Sequence, residues 1–226
     1  MNYWPSTHNE LPNENAFAGI KTDGSVVTWG NASSGGDSSA VAADLSVGVV
    51  QIYSNPNSFA ALKDDGSVVT WGDSDYGGDS SLVEVELSSD VQKIFSNEYS
   101  YAALKDDGSV VTWGDADFGG DNNSGMNPTQ LDSGIVDIKA TAGAFAAIAN
   151  DKHFEDNTGT VFHWGDGGYG GLNDNSGGWY ENGDLDGHMG VTGSGVEQIF
   201  STEKAFAALK DDGSVVTWGD ADYGGD

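Results

Sequence analysis

The sequence predicts an all-β protein built from about five similar units. The string AALKDDGSVVTWGD occurs unchanged at 60–73, 102–115 and 207–220. A looser version, AGIKTDGSVVTWGN, covers 18–31, and a divergent version runs from Ala146 to Asp166. Tryptophan-glycine pairs keep one register at intervals of 42, 42, 51 and 54 residues: Trp29, Trp71, Trp113, Trp164 and Trp218. A period near 42 residues with several short strands is typical of a β-propeller blade.

Each unit contains three predicted strands in a fixed order. The first is a V-x-x-I segment, found as VVQIYS at 49–54, VQKIFS at 91–96, VDIKAT at 136–141 and VEQIFS at 196–201. The second is FAALK, and the third is SVVTWG, rich in β-branched and aromatic residues. The Asp-Gly pair between the last two predicts a type I′ hairpin turn. A weaker fourth strand is predicted at LVEVEL, 82–87.

Stacking of these units is expected because one such unit cannot bury both of its apolar faces alone. No segment has sustained helical periodicity, which excludes helical repeats. A β-solenoid is the rival architecture, but its coils are shorter and lack a hairpin in every repeat. The sequence therefore predicts a β-propeller of about five short blades, with 1–16 as an N-terminal segment, 17–226 as the repeat domain and an insertion at 151–192.

The charge balance excludes several classes of function. The chain has 36 acidic and 8 basic side chains, all of the latter lysine, for a net charge of −28. Such a chain is repelled by nucleic acids and anionic membrane surfaces. The absence of cysteine excludes disulfides, thiolate metal sites and cysteine nucleophiles. No secretory signal or membrane-spanning run is visible. A soluble protein is expected, at an extracellular surface or on a virion sooner than in the cytoplasm.

The repeat resembles that of the regulator of chromosome condensation family. The resemblance is carried by V-x-x-I-F-S, Y-A-A-L-K and D-D-G-S-V-V-T-W-G-D-A-D-F-G-G-D, and it recurs five times over most of 17–226. The short period is similar to that of a compact bacterial member, β-lactamase inhibitor protein II. The resemblance implies a β-propeller with the A-L and W-G strands inside each blade.

Two departures from the family pattern leave the closure of the ring open. Known members usually have seven blades, and their G-Q-L-G after the tryptophan strand is replaced here by G-G-D-S or G-G-D-N. The five units could form a closed ring, an open arc completed by other copies of the chain, or a piece of a longer array. The closed ring is the favoured expectation.

The acidic turns after the tryptophans are candidate calcium sites, since calcium binds six to eight oxygen ligands from such loops. Units one and four lose part of the pattern, and the competing interpretation is that these are polar turn residues. No other cofactor is expected. The candidate metal ligands form three sets: Asp73, Asp75 and Asp79; Asp115, Asp117 and Asp121; Asp220, Asp222 and Asp226.

A long, glycine-rich insertion in the fourth unit carries aromatic residues that are expected to be exposed. This predicts a recognition loop on a rigid scaffold. The candidate binding residues are Trp179, Tyr180 and Tyr169. The repeated tryptophans are expected to be core. The four histidines are dispersed, without metal-ligand spacing.

No catalytic motif is present, and near-identical repeats argue against a single catalytic pair of carboxylates. The sequence therefore favours a non-enzymatic binding or scaffold module whose partner is another protein, with self-assembly as a further possibility. The alternative is a lectin-like protein that binds a surface glycan, in a calcium-dependent manner if the acidic turns hold the ion. Neither nucleic-acid binding nor membrane insertion is expected.

Overall fold

The computed structural model describes residues 11–121, 131–149, 159–171 and 195–225. In these ranges the chain forms five antiparallel sheets, the first of two strands and the others of three. We call them blades 1 to 5. Their strands are β1 (Ala16–Ile20) and β2 (Val26–Gly30); β3 (Val49–Ser54), β4 (Ser58–Lys63) and β5 (Val68–Gly72); β6 (Val91–Ser96), β7 (Ser100–Lys105) and β8 (Val110–Gly114); β9 (Ile135–Ala140), β10 (Ala144–Ala149) and β11 (Thr160–Gly165); β12 (Val196–Ser201), β13 (Ala205–Lys210) and β14 (Val215–Gly219).

Short 3-10 turns follow the tryptophan strand of every blade. They span Ala32–Ser34, Ser74–Tyr76, Ala116–Phe118, Gly167–Tyr169 and Ala221–Tyr223, with further 3-10 turns at Ser39–Val41, Asp44–Ser46 and Ser81–Val83. None of the helices in the described ranges has the length and hydropathy of a transmembrane segment.

The hairpin between the second and third strands is confirmed in position, but the predicted type I′ geometry is wrong. In the hairpin turn of blade 2 only Gly66 has a positive φ, at 78°, whereas type I′ requires it at both central residues. The Gly66 N–H donates to the Lys63 carbonyl at 3.0 Å. Asp65 accepts hydrogen bonds from the backbone N–H and the hydroxyl of Ser67 at 3.0 and 2.6 Å. This aspartate bridge favours a longer turn, which ends in a left-handed glycine.

The predicted fourth strand at 82–87 is wrong. Ser81–Val83 forms a 3-10 turn, and the Ser81 N–H is held by the Asp79 carboxylate at 2.9 Å. Leu82 and Val85 point into solvent, while Leu87 is buried against the neighbouring blade. One buried leucine therefore holds this segment in place, and the alternation of buried and exposed residues typical of a strand is missing.

The blades lie side by side in chain order, with their first strands adjoining: β3 beside β6, β6 beside β9, and β9 beside β12. Four clusters of buried apolar residues hold the array together, and each joins two consecutive blades. A backbone bond reinforces each junction; the Val91 N–H of blade 3, for example, donates to the Gly66 carbonyl of blade 2 at 3.0 Å. The apolar core therefore lies between blades, as stacked repeats require.

The expected closure of five blades into a ring is not found in the described part of the chain. None of the extensive contacts between elements joins blade 5 to blade 1. Trp29 in blade 1 is 53% exposed, whereas the equivalent tryptophans of the other blades are at most 6% exposed. In the described part of the chain the five blades form an open β-propeller array, and no described residue covers the outer face of blade 1 or blade 5. The predicted segment 1–16 and insertion 151–192 lie largely outside the described residues, although β11 falls within the latter.

Candidate functional site

A continuous row of half-buried aromatic rings crosses blades 2 to 4. The Tyr76 and Tyr99 rings stack with centroids 5.5 Å apart, and Tyr99 stacks on Phe118 at 4.0 Å. The Phe118 ring then meets Tyr169 edge-on at 6.3 Å. We call these four residues the aromatic ridge. Half-exposed aromatic side chains in a row offer a large apolar surface at a small cost in conformational entropy, which suits binding.

The sequence positions three ridge rings through the 3-10 turn after the tryptophan strand. In blade 3 the Asp115 carboxylate caps this turn by accepting from the Asp117 N–H at 2.9 Å, and Gly119 ends it in the left-handed conformation. Phe118 is the last residue of the turn. A rigid, capped turn fixes the direction in which the ring leaves the backbone.

Buried side chains hold the carbonyl group of each turn aromatic. Asn97 is fully buried and donates through Nδ2 to the Phe118 carbonyl at 2.7 Å. Asn55 makes the same bond to the Tyr76 carbonyl at 2.7 Å, and the Thr141 hydroxyl replaces it at the Tyr169 carbonyl, at 2.8 Å. Loss of such a buried donor leaves an unsatisfied carbonyl, so these residues are positioning residues of the ridge.

Gly143 makes room for the ridge to continue between blades 3 and 4. A Cβ atom at this position would lie 2.8 Å from the Tyr169 ring and 3.0 Å from the Phe118 ring. The equivalent residue of blade 3 is Tyr99, which is itself a ridge residue. A side chain at 143 would therefore push apart the two rings that the ridge brings together.

A cation lies at the blade 5 end of the ridge. The Lys204 ammonium group sits 5.3 Å from the Tyr169 ring centroid and 4.9 Å from that of Tyr223. Interaction with Tyr223 raises the pKa of Lys204, and the nearby Glu203 and Asp220 carboxylates act in the same direction. The lysine therefore keeps its positive charge and continues the ridge by cation–π contacts.

The ridge is flanked by negative charge. Burial among the neighbouring rings raises the pKa of Tyr99, and the Glu98 carboxylate beside it adds to the effect. The exposed residues Asp75 and Asp117 directly precede Tyr76 and Phe118 in their turns. The surface therefore presents apolar rings bordered by carboxylates.

Four of the nine predicted metal ligands accept hydrogen bonds within their own turns. Asp73, Asp115 and Asp220 each cap the following turn through the N–H two residues on, and Asp79 accepts from the Ser81 N–H at the start of the Ser81–Val83 turn. Among the described residues no group of three or more His, Asp or Glu side chains is placed to hold a metal ion. Asp226 lies outside the described residues. Calcium binding stays a prediction, and the turn interpretation has direct structural support.

The repeated tryptophans divide into two groups. Four of them are core as predicted: each indole N–H donates to a glycine carbonyl of the preceding blade at 3.0 to 3.2 Å. Trp29 differs, because among the described residues no other blade covers it. His163 is also structural, since its buried ring bonds the Gly170 carbonyl at 2.8 Å and packs on Trp218.

The structure places one of the three predicted binding residues. Tyr169 belongs to the aromatic ridge, whereas Trp179 and Tyr180 lie outside the described residues. Sequence reasoning missed Tyr76, Tyr99 and Phe118 as parts of one surface, and it missed the buried Asn55 and Asn97. The recurring Asn or Thr three residues before the second strand was the available signal.

Comparison with known proteins gives only distant structural matches. No family model matches the chain, and no curated protein matches it significantly. Human WBSCR16 matches with a TM-score of 0.48 and 16% identity over 92% of this chain and 60% of that one. Yeast RCC1 (Prp20), solved with Kap60, gives a TM-score of 0.49 and 16% identity over 91% of this chain and 54% of that one. The entire ectodomain of the Physcomitrella patens receptor kinase CR4 gives 0.46 and 13%, over 93% and 49%.

The chain spans about half to three-fifths of the length of these solved structures. Its assignment depends on its own repeats, in which the D-G turn, the A-L strand and the W-G strand occupy the same positions of successive blades. The chain is a β-propeller repeat protein whose repeat resembles that of the regulator of chromosome condensation family.

Proposed function

We propose that the chain is a non-enzymatic binding module that docks a protein partner on the aromatic ridge. The observation that supports this most is the unbroken row of half-buried rings from Tyr76 to Tyr169, held by buried hydrogen bonds. Aromatic residues on a preorganised surface supply most of the binding energy in protein interfaces. A rigid array of blades limits the entropy lost on association.

The chemistry of the ridge specifies the partner's surface. The rings favour an apolar segment, and the flanking carboxylates Asp75, Glu98 and Asp117 favour Lys or Arg side chains around it. With a net charge of −28, the chain also attracts basic partners over a distance and repels nucleic acids. A partner segment with apolar and basic residues fits this surface.

The roles of the described carboxyl groups support a non-enzymatic module. In Asp23, Asp65, Asp107 and Asp212 the carboxyl pKa is lowered because a serine two residues on donates to it through hydroxyl and backbone groups. These carboxylates stabilise hairpin turns and occur once in each of four blades. Their perturbed pKa values therefore have a structural cause.

The repeat supplies substitutions that test the ridge with little risk to folding. Asn57 occupies the position of Tyr99 in blade 2, and Ser34 occupies the position of Tyr169 in blade 1. We expect peptides selected from a random displayed library on the native chain to bind the Tyr99→Asn/Tyr169→Ser variant at least about tenfold more weakly, as for a lost hot spot. Leu82→Ser, at an exposed apolar position outside the ridge, is the control. Equal binding to the native chain and the ridge variant would refute the proposal.

A lectin-like function is the second candidate. Exposed carboxylates next to aromatic rings, as at Asp117 and Phe118, also suit the polar edges and apolar faces of sugar rings. A glycan array with the native chain and the same ridge variant separates the two candidates. Sugar binding that disappears in the ridge variant favours the lectin, particularly if a chelator abolishes it.

A further inference from the structure

Blade 1 displays an aromatic pair that every other blade buries. Phe17 and Trp29 stack with centroids 5.3 Å apart, as do the equivalent pairs of blades 2 to 5 at 5.2 to 5.3 Å. Phe17 is nevertheless 63% exposed. Among the described residues the Trp29 indole N–H has no hydrogen-bond partner. We call the Phe17–Trp29 pair the socket, which is preformed and uncovered.

The internal blades show what a socket binds. At the junction of blades 2 and 3, Gly77 sits so close to the Tyr101 ring that a Cβ would lie 2.8 Å from it, and the Gly77 carbonyl accepts from the Trp113 indole at 3.1 Å. Gly35, Gly119 and Gly170 make the same contact at the other three junctions. We call this glycine, which ends the turn after the tryptophan strand, the plug.

Blade 5 carries a preformed plug without a socket. Gly224 ends its turn with a φ of 97°, and Asp220 caps that turn as in the other blades. Among the described residues, no heavy atom beyond the glycine and its two chain neighbours lies within 4 Å of the point where a Gly224 Cβ would be, and the same holds for Gly213 in the hairpin turn. The internal counterparts of both glycines are packed tightly against the next blade.

We propose that the plug of blade 5 docks on the socket of blade 1 in a second copy of this chain, and that the Gly224 carbonyl accepts from the Trp29 indole N–H. The two faces differ, so the contact is head-to-tail and can close into a ring or continue as a filament.

The repeats themselves identify the occupant of the socket. Residues 207–223 of blade 5 match 102–118 of blade 3 except that Tyr223 replaces Phe118, and the blade 3 segment already docks on the Phe145–Trp164 socket of blade 4. The blade 1 socket has the same aromatic pair in the same geometry. A second copy therefore brings a plug that this fold already uses four times.

The like charge of two copies opposes their association, since each carries −28. Screening by salt lowers this repulsion, because the Debye length falls from about 30 Å at 0.01 M to about 3 Å at 1 M. We therefore expect self-association to strengthen with salt, unlike binding of a basic partner to the ridge.

Two complementary variants test the contact. Trp29→Ala removes the indole ring of the socket. The Trp29 side chain is largely exposed in the single chain, so its loss should cost little stability. Gly224→Asn blocks the plug with a residue that tolerates a positive φ. By sedimentation velocity at about 1 M salt, where screening is strong, the native chain forms oligomers. Each variant alone associates on the order of 30-fold more weakly, as for a lost hot spot.

An equimolar mixture of the two variants gives the decisive result. One variant keeps only the plug and the other keeps only the socket, so the mixture forms a 1:1 dimer that cannot grow. Absence of this dimer, or a native chain that stays monomeric at high protein and salt concentrations, overturns the proposal. The difference between the fluorescence spectra of the native chain and the Trp29→Ala variant gives the contribution of Trp29. A monomeric native chain in which this contribution is that of a buried tryptophan also overturns the proposal, because the plug and the socket would then meet within one chain.

The same variants separate this proposal from the protein-binding function. Neither Trp29 nor Gly224 belongs to the aromatic ridge, so ridge binding persists in both variants if they are folded. Circular dichroism and the melting temperature check that each variant keeps the native β structure. If the native chain does not self-associate, the ridge proposal is unaffected. If the ridge binds no partner, the self-association proposal is unaffected.

Discussion

His163 shows how one blade accommodates a residue that differs from the repeat. The equivalent residue is threonine in the other four blades, and in blades 1 and 2 its hydroxyl bonds a serine. The larger imidazole reaches the Gly170 carbonyl instead, at 2.8 Å, and contacts the Trp218 ring. Because a carbonyl can only accept, Nδ1 carries the proton in the neutral ring. Burial lowers the pKa of His163 from 6.5 to about 4.

This burial predicts a histidine-dependent loss of stability in acid. Below pH 6.5 the unfolded chain protonates His163, while the folded chain stays neutral down to about pH 4. The free energy of unfolding therefore falls as the pH drops through that range, by about 3 kcal/mol for this group. The repeat's own residue, as His163→Thr, flattens that part of the curve. Denaturant titrations from pH 7 to pH 4 measure it, and parallel curves for the two proteins would contradict the prediction.

At the scale of the element, the hairpin turn performs two tasks. Its glycine adopts a left-handed conformation that the turn requires, with φ near 80° at both Gly108 and Gly213. In the internal blades its carbonyl also accepts from the first strand of the next blade, as Gly108 does from Ile135 at 3.0 Å. One turn therefore shapes its own sheet and joins it to the neighbouring sheet.

Matched glycine substitutions separate these two tasks. A Cβ at Gly213 would meet no described atom of another part of the chain within 4 Å, so for Gly213→Ala we expect only the cost of a positive φ, about 1–2 kcal/mol. Gly108→Ala has the same φ, but its Cβ would lie 2.6 Å from the Gly134 nitrogen. We expect an additional loss of about 1–3 kcal/mol from overpacking. Chemical denaturation of dilute protein measures the free energy of unfolding of both variants. Equal losses of stability would show that the junction between blades 3 and 4 accommodates the extra methyl group without cost.

At the scale of the whole molecule, the acidic surface dominates. A net charge of −28 opposes the compact state by self-repulsion. We expect the melting temperature to rise as sodium chloride increases from about 0.01 M to about 1 M, where screening becomes strong. Scanning calorimetry measures this rise. A melting temperature that does not change with salt would show that the repulsion is already offset.

Divalent ions extend the same measurement to the calcium hypothesis. Structural calcium sites predict a higher melting temperature in calcium chloride than in magnesium chloride at equal ionic strength, because a bound ligand stabilises the fold by mass action. Equal values would exclude such sites and leave only the capping role seen at Asp73, Asp115 and Asp220.

The open array also explains why one chain offers two kinds of surface. The aromatic ridge consists of residues from turns of successive blades, whereas the socket and the plug are the uncovered ends of the stack. The ridge exists because blades are adjacent, and the end faces are the sides of blades 1 and 5 on which no other described blade packs. We infer that partner binding and self-association use separate parts of the molecule.

The sequence by itself determined the three strands of blades 2 to 5, the hairpin positions and the four buried tryptophans, because the repeat copies local patterns that act within one blade. It did not determine the type of hairpin turn, which ends in a left-handed glycine. It also did not show that residues 82–87 form turns instead of a strand, with Leu87 as their buried residue. Only the tertiary structure brought Tyr76, Tyr99 and Phe118 into one row. It also showed Trp29 uncovered, although the SVVTWG string around it recurs unchanged in blades where the tryptophan is buried. The physical reason is that contacts between blades depend on which neighbouring blade is present, whereas the sequence of a repeat is the same whether or not another blade packs on it.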